Sequence, residues 1–426
     1  MRHLKISIEI DAQKKYVGEI TCNNFKDAFF SYSKEYVEDK NNAAISISLP
    51  LQKEKFSVLQ TRSFFEGLLP EGFTRRSVAQ QMKVDENDYI SILAVLGEEC
   101  LGAIKVEEGV SDTNSDYEKL SLEQVKELAK EGAEKSAELV TKSHLSLTGA
   151  SGKVGLYYNE TEKNWYLPKG EAPSTHIVKQ SHIRLDSIVT NEQLCLMTAK
   201  NLGIDVPESF IINVGNAKDE DVLFATRRYD RVWNDNARKI NNMICPVRLH
   251  QEDFAQALGI SAAKKYETKN DKYMKKMFDI IRRFSINPIE DLVKLWKIIV
   301  FDYLVGNTDA HIKNFSLLYG SDLKSICLAP AYDIVSTCVY KNSTRDMAFS
   351  IAGEYNIDKI NRMTFVEAAK EVGIGQNIAM KFFDEMVASF KNALLQSTVE
   401  LCNKGFEKAE ELKNRILESG GISKEK

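Results

Sequence analysis

No stretch of apolar residues in this chain approaches the roughly 18 that a membrane-crossing helix requires. The first ten residues, MRHLKISIEI, alternate apolar and polar and read as a strand rather than a signal peptide. No membrane association is therefore expected. The seven cysteines (Cys22, Cys100, Cys195, Cys245, Cys327, Cys338 and Cys402) are odd in number and contain no C-x-x-C pair, and the six histidines do not cluster with them. That argues against a disulfide framework or a zinc site and for thiols buried in a reducing cytosol. Only eight prolines and no low-complexity tract are present, so little of the chain is linker. Nor does charge of one sign dominate: Lys+Arg number 57 and Asp+Glu 61, a net of −4. A chain so balanced is not an electrostatic nucleic-acid binder as a whole, although a local patch can still touch DNA.

What is present is apolar material enough for real cores, 43% of 426 residues, and a length that fits two to four folded units. Residues 1–106 read as a small mixed domain. Leu4, Ile6, Ile8 and Ile10 share one strand face, and Ile45, Ile47 and Leu49 repeat the period before Pro50. A turn after Phe64-Phe65-Glu66-Gly67-Leu68-Leu69-Pro70 leads into a helix, and another over 88–96 stops at Gly97. The acidic, polar stretch from Val106 to about Lys119 marks a boundary, and 107–140 is expected to be linker with helical segments.

Between 141 and 231 the order of elements is informative. A strand at Leu145-Ser146-Leu147 meets a small-residue loop, Thr148-Gly149-Ala150-Ser151-Gly152-Lys153. Val154–Tyr158 and Trp165–Leu167 form a hairpin, and His176-Ile177-Val178-Lys179 is a strand ending on a lysine. A helix capped near Thr190 or Asn191 runs to Gly203, and strands follow at Ser209–Val214 and Val222–Thr226. Residues 232–426 read as mostly helical: 251–258, 272–284, 289–304 and several pieces of 363–415, with a frayed end from Gly420. One hairpin interrupts them, Phe315–Tyr319 with Ser325–Leu328.

The sharpest local signal is Gly306-Asn307-Thr308-Asp309-Ala310-His311-Ile312-Lys313-Asn314. Asp-x4-Asn is the spacing of a phosphotransferase catalytic loop, in which the Asp orients the attacking hydroxyl and the Asn holds magnesium. Asp333, after the following hairpin, stands where kinases keep a second metal ligand; magnesium prefers such hard oxygen donors. Alone, each of these is an ordinary turn. In sequence with the loop, the lysine strand and the helix, they reproduce a kinase's two-lobed layout, so the expected fold class is α+β, two-lobed and protein-kinase-like.

In that layout Lys179 contacts nucleotide phosphates as a compact point charge, its bland alternative being a strand-end lysine in solvent. Glu192 is placed to pair with Lys179, or simply to sit in the first turn against the helix dipole. The loop 148–153 offers backbone N–H groups to phosphates without matching GxxxxGK[ST]. Arg227-Arg228-Tyr229-Asp230-Arg231 falls at the hinge beside adenine, or else is an exposed charged turn. The basic stretch 261–283 reads first as a solvated helix face.

Together these residues resemble the HipA family, the serine/threonine-kinase toxins of bacterial toxin–antitoxin modules. The resemblance runs over nearly the whole chain. It is carried by Phe65 to Pro70, Gly97 to Ala103, Ser146 to Lys153, Thr175 to Lys179, Asn191-Glu192, Arg248 to Asp253, Gly306 to Asn314 and Leu328 to Asp333. It implies a cytoplasmic kinase using ATP and Mg2+. Asp309 would be the catalytic residue, Asn314 and Asp333 metal ligands, and Lys179 and the loop Thr148, Gly149, Ala150, Ser151, Gly152 and Lys153 ATP-binding. Hinge residues Arg227, Arg228 and Tyr229 would lie near adenine, with His311 or Lys313 helping to neutralise phosphate. Ser146 matches a serine that such kinases autophosphorylate to shut themselves off, with Ser151 the alternative. Also implied are a small helix-turn-helix antitoxin that brings the toxin to operator DNA, and a protein substrate such as an aminoacyl-tRNA synthetase whose phosphorylation arrests growth. Two other readings of the same residues are a catalytically silent nucleotide-binding corepressor and a kinase of a small molecule or lipid.

Overall fold

Leu4, Ile6 and Ile8 alternate inward along β1 (Arg2–Ile10) and are fully buried, and Asp11 and Ala12, both at positive φ, turn the chain into β2 (Gln13–Cys22). With β3 (Phe29–Tyr32) and β4 (Ile104–Glu108) they form an antiparallel sheet in the order β3-β2-β1-β4. The computed structural model describes residues 1–425 except 110–113, 132–134, 137, 141–151 and 182–184. Between β3 and β4 the chain forms α1 (Val58–Phe65), opened by a Ser57/Gln60 capping box, α2 (Gly72–Met82), and α3 (Tyr89–Leu96), capped by Asp88 and ending at Gly97. Ile45, Ile47 and Leu49 do not make the expected strand. Side chains satisfy that segment's backbone instead: the Tyr32 hydroxyl donates to the Leu49 carbonyl and accepts from Ile45 N–H, while Glu252 accepts from Ile47 N–H.

The second sheet has six strands, β5 (Asp116–Lys119), β6 (Lys153–Asn159), β7 (Asn164–Lys169), β8 (His176–Gln180), β9 (Ser209–Asn213) and β10 (Val222–Arg227), in the order β5-β7-β6-β8-β10-β9. Part of the expected linker is therefore sheet. Tyr117 buries its ring beside Tyr157, which draws β5 onto the edge at β7, and α4 (Leu122–Glu131) follows. Helix α5 (Ile188–Asn201) starts earlier than its expected cap at Thr190 or Asn191. Ser187 occupies the cap position in a left-handed conformation, its N–H donating to Asp219 Oδ2 at 2.8 Å, and both proposed caps are buried inside the helix.

The remaining part carries β11 (Gln251–Asp253), β12 (Ser316–Tyr319) and β13 (Ile326–Leu328) in one small antiparallel sheet. Residues 251–253 pair with Ser316–Leu318, so the helix expected over 251–258 is confined to Phe254–Ala257. Around this sheet lie α6 (Tyr273–Phe284), α7 (Pro288–Val305), α8 (Arg362–Val372), α9 (Gln376–Asn403) and α10 (Lys408–Ser419). The end is not frayed: Gly421–Lys424 forms a further turn and Ile422 is buried in the core. Among the described residues no helix is long and apolar enough to cross a membrane, and all seven cysteines are free thiols.

The first domain is tied to the rest through a buried ionic network. Glu99 accepts from Arg228, Arg231 and Arg248, Glu9 pairs with Arg248 and Lys105, and Asp230 pairs with Arg228 and Arg231. Ions this deep are tolerated only because each charge meets several opposite partners.

Candidate active site

Alternation along β8 turns Val178 into the core beneath the sheet and leaves Lys179 on the opposite face. There its Nζ lies 2.6 Å from Glu192 Oε1 on α5 and 2.6 Å from Asp333 Oδ1, beyond β13. Burial opposes the ammonium, but Asp333 and then Glu192 outweigh it and hold the Lys179 pKa well above its ordinary value. Burial likewise works against Asp333, yet Lys179 and Lys153 pull its carboxyl well below the usual range. Glu192, by contrast, is raised by burial. Both carboxylates face the lysine, and Asp333 is the more readily ionised of the two. Its backbone has φ 58, a left-handed conformation uncommon outside glycine and worth attention at a site. Lys153 faces Lys179 across the β6/β8 ladder, and burial pushes its pKa down to about 8.

The other half of the site begins where α7 stops. Gly306 takes φ +77, and its N–H bonds back to Asp302 and Tyr303 carbonyls. The Asn307 amide donates to buried Asp302 Oδ1 at 2.8 Å, and Thr308 N–H donates to Thr337 Oγ1 at 2.7 Å. These bonds fix the loop and leave Asp309 open to solvent between buried neighbours. Surrounding protein first, and Asp333 next among the charges, raises the Asp309 pKa, against a hydrogen bond of 2.7 Å from the Tyr266 hydroxyl. His311 N–H donates to the Asp309 carbonyl at 2.7 Å, and a single 3₁₀ turn brings Asn314 back so that its Nδ2 donates to the same carbonyl at 3.0 Å.

Gly152, Lys153, Lys179, Glu192, Arg227, Arg228, Tyr229, Asp309, His311, Lys313, Asn314 and Asp333 all line one cleft of about 1310 Å³ between the six-stranded sheet and the helical part. Ser146, Thr148, Gly149, Ala150 and Ser151 lie outside the described residues.

Within the cleft several side chains do other work than the sequence suggests. Lys313 is buried and its ammonium is committed to Asp253 at 2.7 Å, with Glu71 at 3.6 Å, so it has little charge left for phosphate. His311 is pushed down to about 3 by burial and is neutral. Arg228 is no exposed turn residue: its guanidinium is spent on Asp230 and Glu99, and its N–H donates to the Thr175 carbonyl at 2.9 Å. Arg227 pairs with Glu208 and lies 4.6 Å over the Trp233 ring. Tyr229 donates its hydroxyl to Gln251 and sets its ring 5.8 Å from that of Tyr332.

Residues that pattern reading passed over complete the cleft. Glu71, Phe73 and Arg76 bring the first domain to its wall, and Tyr266 engages Asp309 from within the basic stretch read as a solvated face. Behind the cleft Asn191, expected as a helix cap, instead holds the segment after Asp333, accepting from Ser336 N–H and donating to the Ser336 carbonyl, each at 3.0 Å. Glu71 adjoins the Phe65–Pro70 motif, a signal that was present; Tyr266 has no neighbour in sequence that marks it.

For a magnesium ion the fit rests on donor chemistry. Asp333 is ionised, and Asn314 directs its amide nitrogen at the Asp309 carbonyl, leaving its oxygen as the free donor end. No group of three or more His, Cys, Asp or Glu gathers as a metal site among the described residues. The Asp333 carboxylate and the Asn314 amide oxygen suit a hard cation that takes one or two protein oxygens and completes its shell with phosphate and water.

A strand lysine ion-paired to a helix glutamate, facing an Asp-x4-Asn loop across a cleft between a sheet and a helical lobe, defines a two-lobed kinase fold. Residues 8–107 match the HipA N-terminal domain and residues 145–394 the HipA-like C-terminal domain. A protein of Sinorhizobium fredii named as a kinase, Y4mE, is 31% identical over 91% of each chain. The serine/threonine-protein kinase toxin HipA of Shewanella oneidensis is 25% identical, covering 92% of this chain and 89% of its own. The structure of HipA from Shewanella oneidensis MR-1, solved with HipB and operator DNA, has the same fold, with a TM-score of 0.79 at 21% identity over 99% of this chain and 97% of that one. The chain belongs to the HipA family. It is a homologue of serine/threonine protein kinases, and that homology implies use of ATP.

Proposed function

We propose that this protein is a serine/threonine kinase toxin that transfers the ATP γ-phosphate to a cellular protein and so arrests growth. The observation that carries the reading is the convergence of Lys179, Glu192, Asp333, Asp309 and Asn314 on one cleft. In this reading residues 1–106 form the family's N-terminal domain, 141–231 the nucleotide lobe and 232–426 the helical lobe. Lys179, oriented by Glu192, contacts the α/β-phosphates, while hinge backbone around Arg227–Tyr229 lies beside adenine. Asp309 orients the acceptor hydroxyl and receives its proton. Asn314 and Asp333 would hold Mg2+, which supplies charge neutralisation of the phosphates when bound. Catalysis is then chiefly positioning and electrostatics.

Ser146 is proposed as the self-inactivation site, with Ser151 the alternative; a phosphate on either side chain adds nearly two negative charges. The Shewanella relative, solved with HipB and operator DNA, supports an analogous DNA-binding antitoxin partner, of helix-turn-helix type, and a translation factor such as an aminoacyl-tRNA synthetase is the proposed substrate class. The test is phosphate transfer from labelled ATP with magnesium by the purified chain. Asp309→Asn should lower transfer by roughly 10²–10⁴-fold with unchanged thermal unfolding. Full transfer by that variant would remove Asp309 from its role.

A further inference from the structure

Lys265, Tyr266 and Glu267 form a short bridge over the mouth of the cleft. Lys265 Nζ reaches Glu71 Oε2 in the first domain at 2.8 Å. Glu267 is held on the helical side, its N–H donating to the Ala348 carbonyl at 2.8 Å and its carboxylate accepting Tyr273 N–H at 3.2 Å. Between these anchors Tyr266 lays its ring edge-on to His311, centroids 5.4 Å apart, and donates its hydroxyl to Asp309 Oδ1 at 2.7 Å. Its surface remains 47% exposed, so the ring is not there to fill a core. A half-exposed phenol is free to swing into solvent, and its loop is fixed on both sides so that it returns to the same carboxylate.

We propose that Tyr266 governs the acceptor subsite: its hydroxyl occupies the place on Asp309 that a serine or threonine hydroxyl must take, and an acceptor binds by displacing it. The inference rests on the kinase reading above. It follows that a carboxylate hydrogen bond must be given up before each productive encounter, which weakens acceptor binding and leaves nucleotide binding untouched.

The test uses the full chain, ATP, magnesium and dephosphorylated casein as acceptor. Tyr266→Phe should lower KM for casein roughly tenfold, the worth of one such bond, with KM for ATP unchanged. An unchanged or raised casein KM overturns the proposal. So does casein that neither enzyme phosphorylates while both phosphorylate their own chain. Absence of any transfer, to casein or to the chain itself, would instead refute the kinase reading and this inference with it.

Discussion

At the scale of single residues, the site is a problem of charge held out of water. Lys179 stabilises Asp333 and is stabilised by it, and Glu192 orients the ammonium from a second element. Replacing Lys179 with Met removes the only charge of this triad that is positive, so the Asp333 carboxyl should climb back toward its ordinary range and the contact to phosphate should vanish. The expected result is a fall of about 10²–10³-fold in kcat/KM for ATP, read from initial rates at varied nucleotide. The Lys179 and Asp309 positions were legible in sequence because strand-end lysine and Asp-x4-Asn carry their own spacing. The fates of Lys313 and Arg228 were not, because a cation in a motif does not reveal which carboxylate will reach it first. Here Asp253 and Asp230 did.

Among elements, the one that positions the catalytic loop is α7. Its apolar positions, Leu295, Trp296, Ile299 and Leu304, bury it, and its end is set by Gly306 in a left-handed turn. A Cβ at that glycine would meet Cys338 Cβ at 2.9 Å and Gly420 Cα at 3.0 Å. Gly306→Ala should therefore cost more than the roughly 1–2 kcal/mol of a left-handed alanine alone. Denaturant unfolding should show the loss, and kinase activity should drop with it because Asp309 follows three residues later. Helix α7 was readable from periodicity. The start of α5 was not, since no local side chain caps it and Ser187 is held instead by Asp219, 32 residues away, which accepts its N–H. The 251–253 strand was misread for the same reason: its partner, β12, lies more than 60 residues away.

For the whole molecule, the first domain is part of the cleft wall and is keyed to the lobes by Glu99, buried among Arg228, Arg231 and Arg248. These arginines hold its carboxyl far below the ordinary range. Glu99→Gln leaves three buried guanidinium groups short of a negative partner. A loss of about 3–5 kcal/mol is expected, measurable as a shift of the denaturation midpoint. Gly97 to Ala103 and Arg248 to Asp253 were visible as distinctive segments, but nothing in their spacing says that they meet.

The sequence by itself determined the two-part α+β layout, the family and the residues with chemistry in their side chains, because periodicity and short-range spacing are local properties of the chain. Tertiary structure alone decided which charges are spent on one another, how Glu71 and Tyr266 come to the mouth of the cleft, and where helices begin when their caps are remote. Burial strengthens every electrostatic contact, so the partner that packing brings nearest, not the one nearest in sequence, sets what each ionisable group can do.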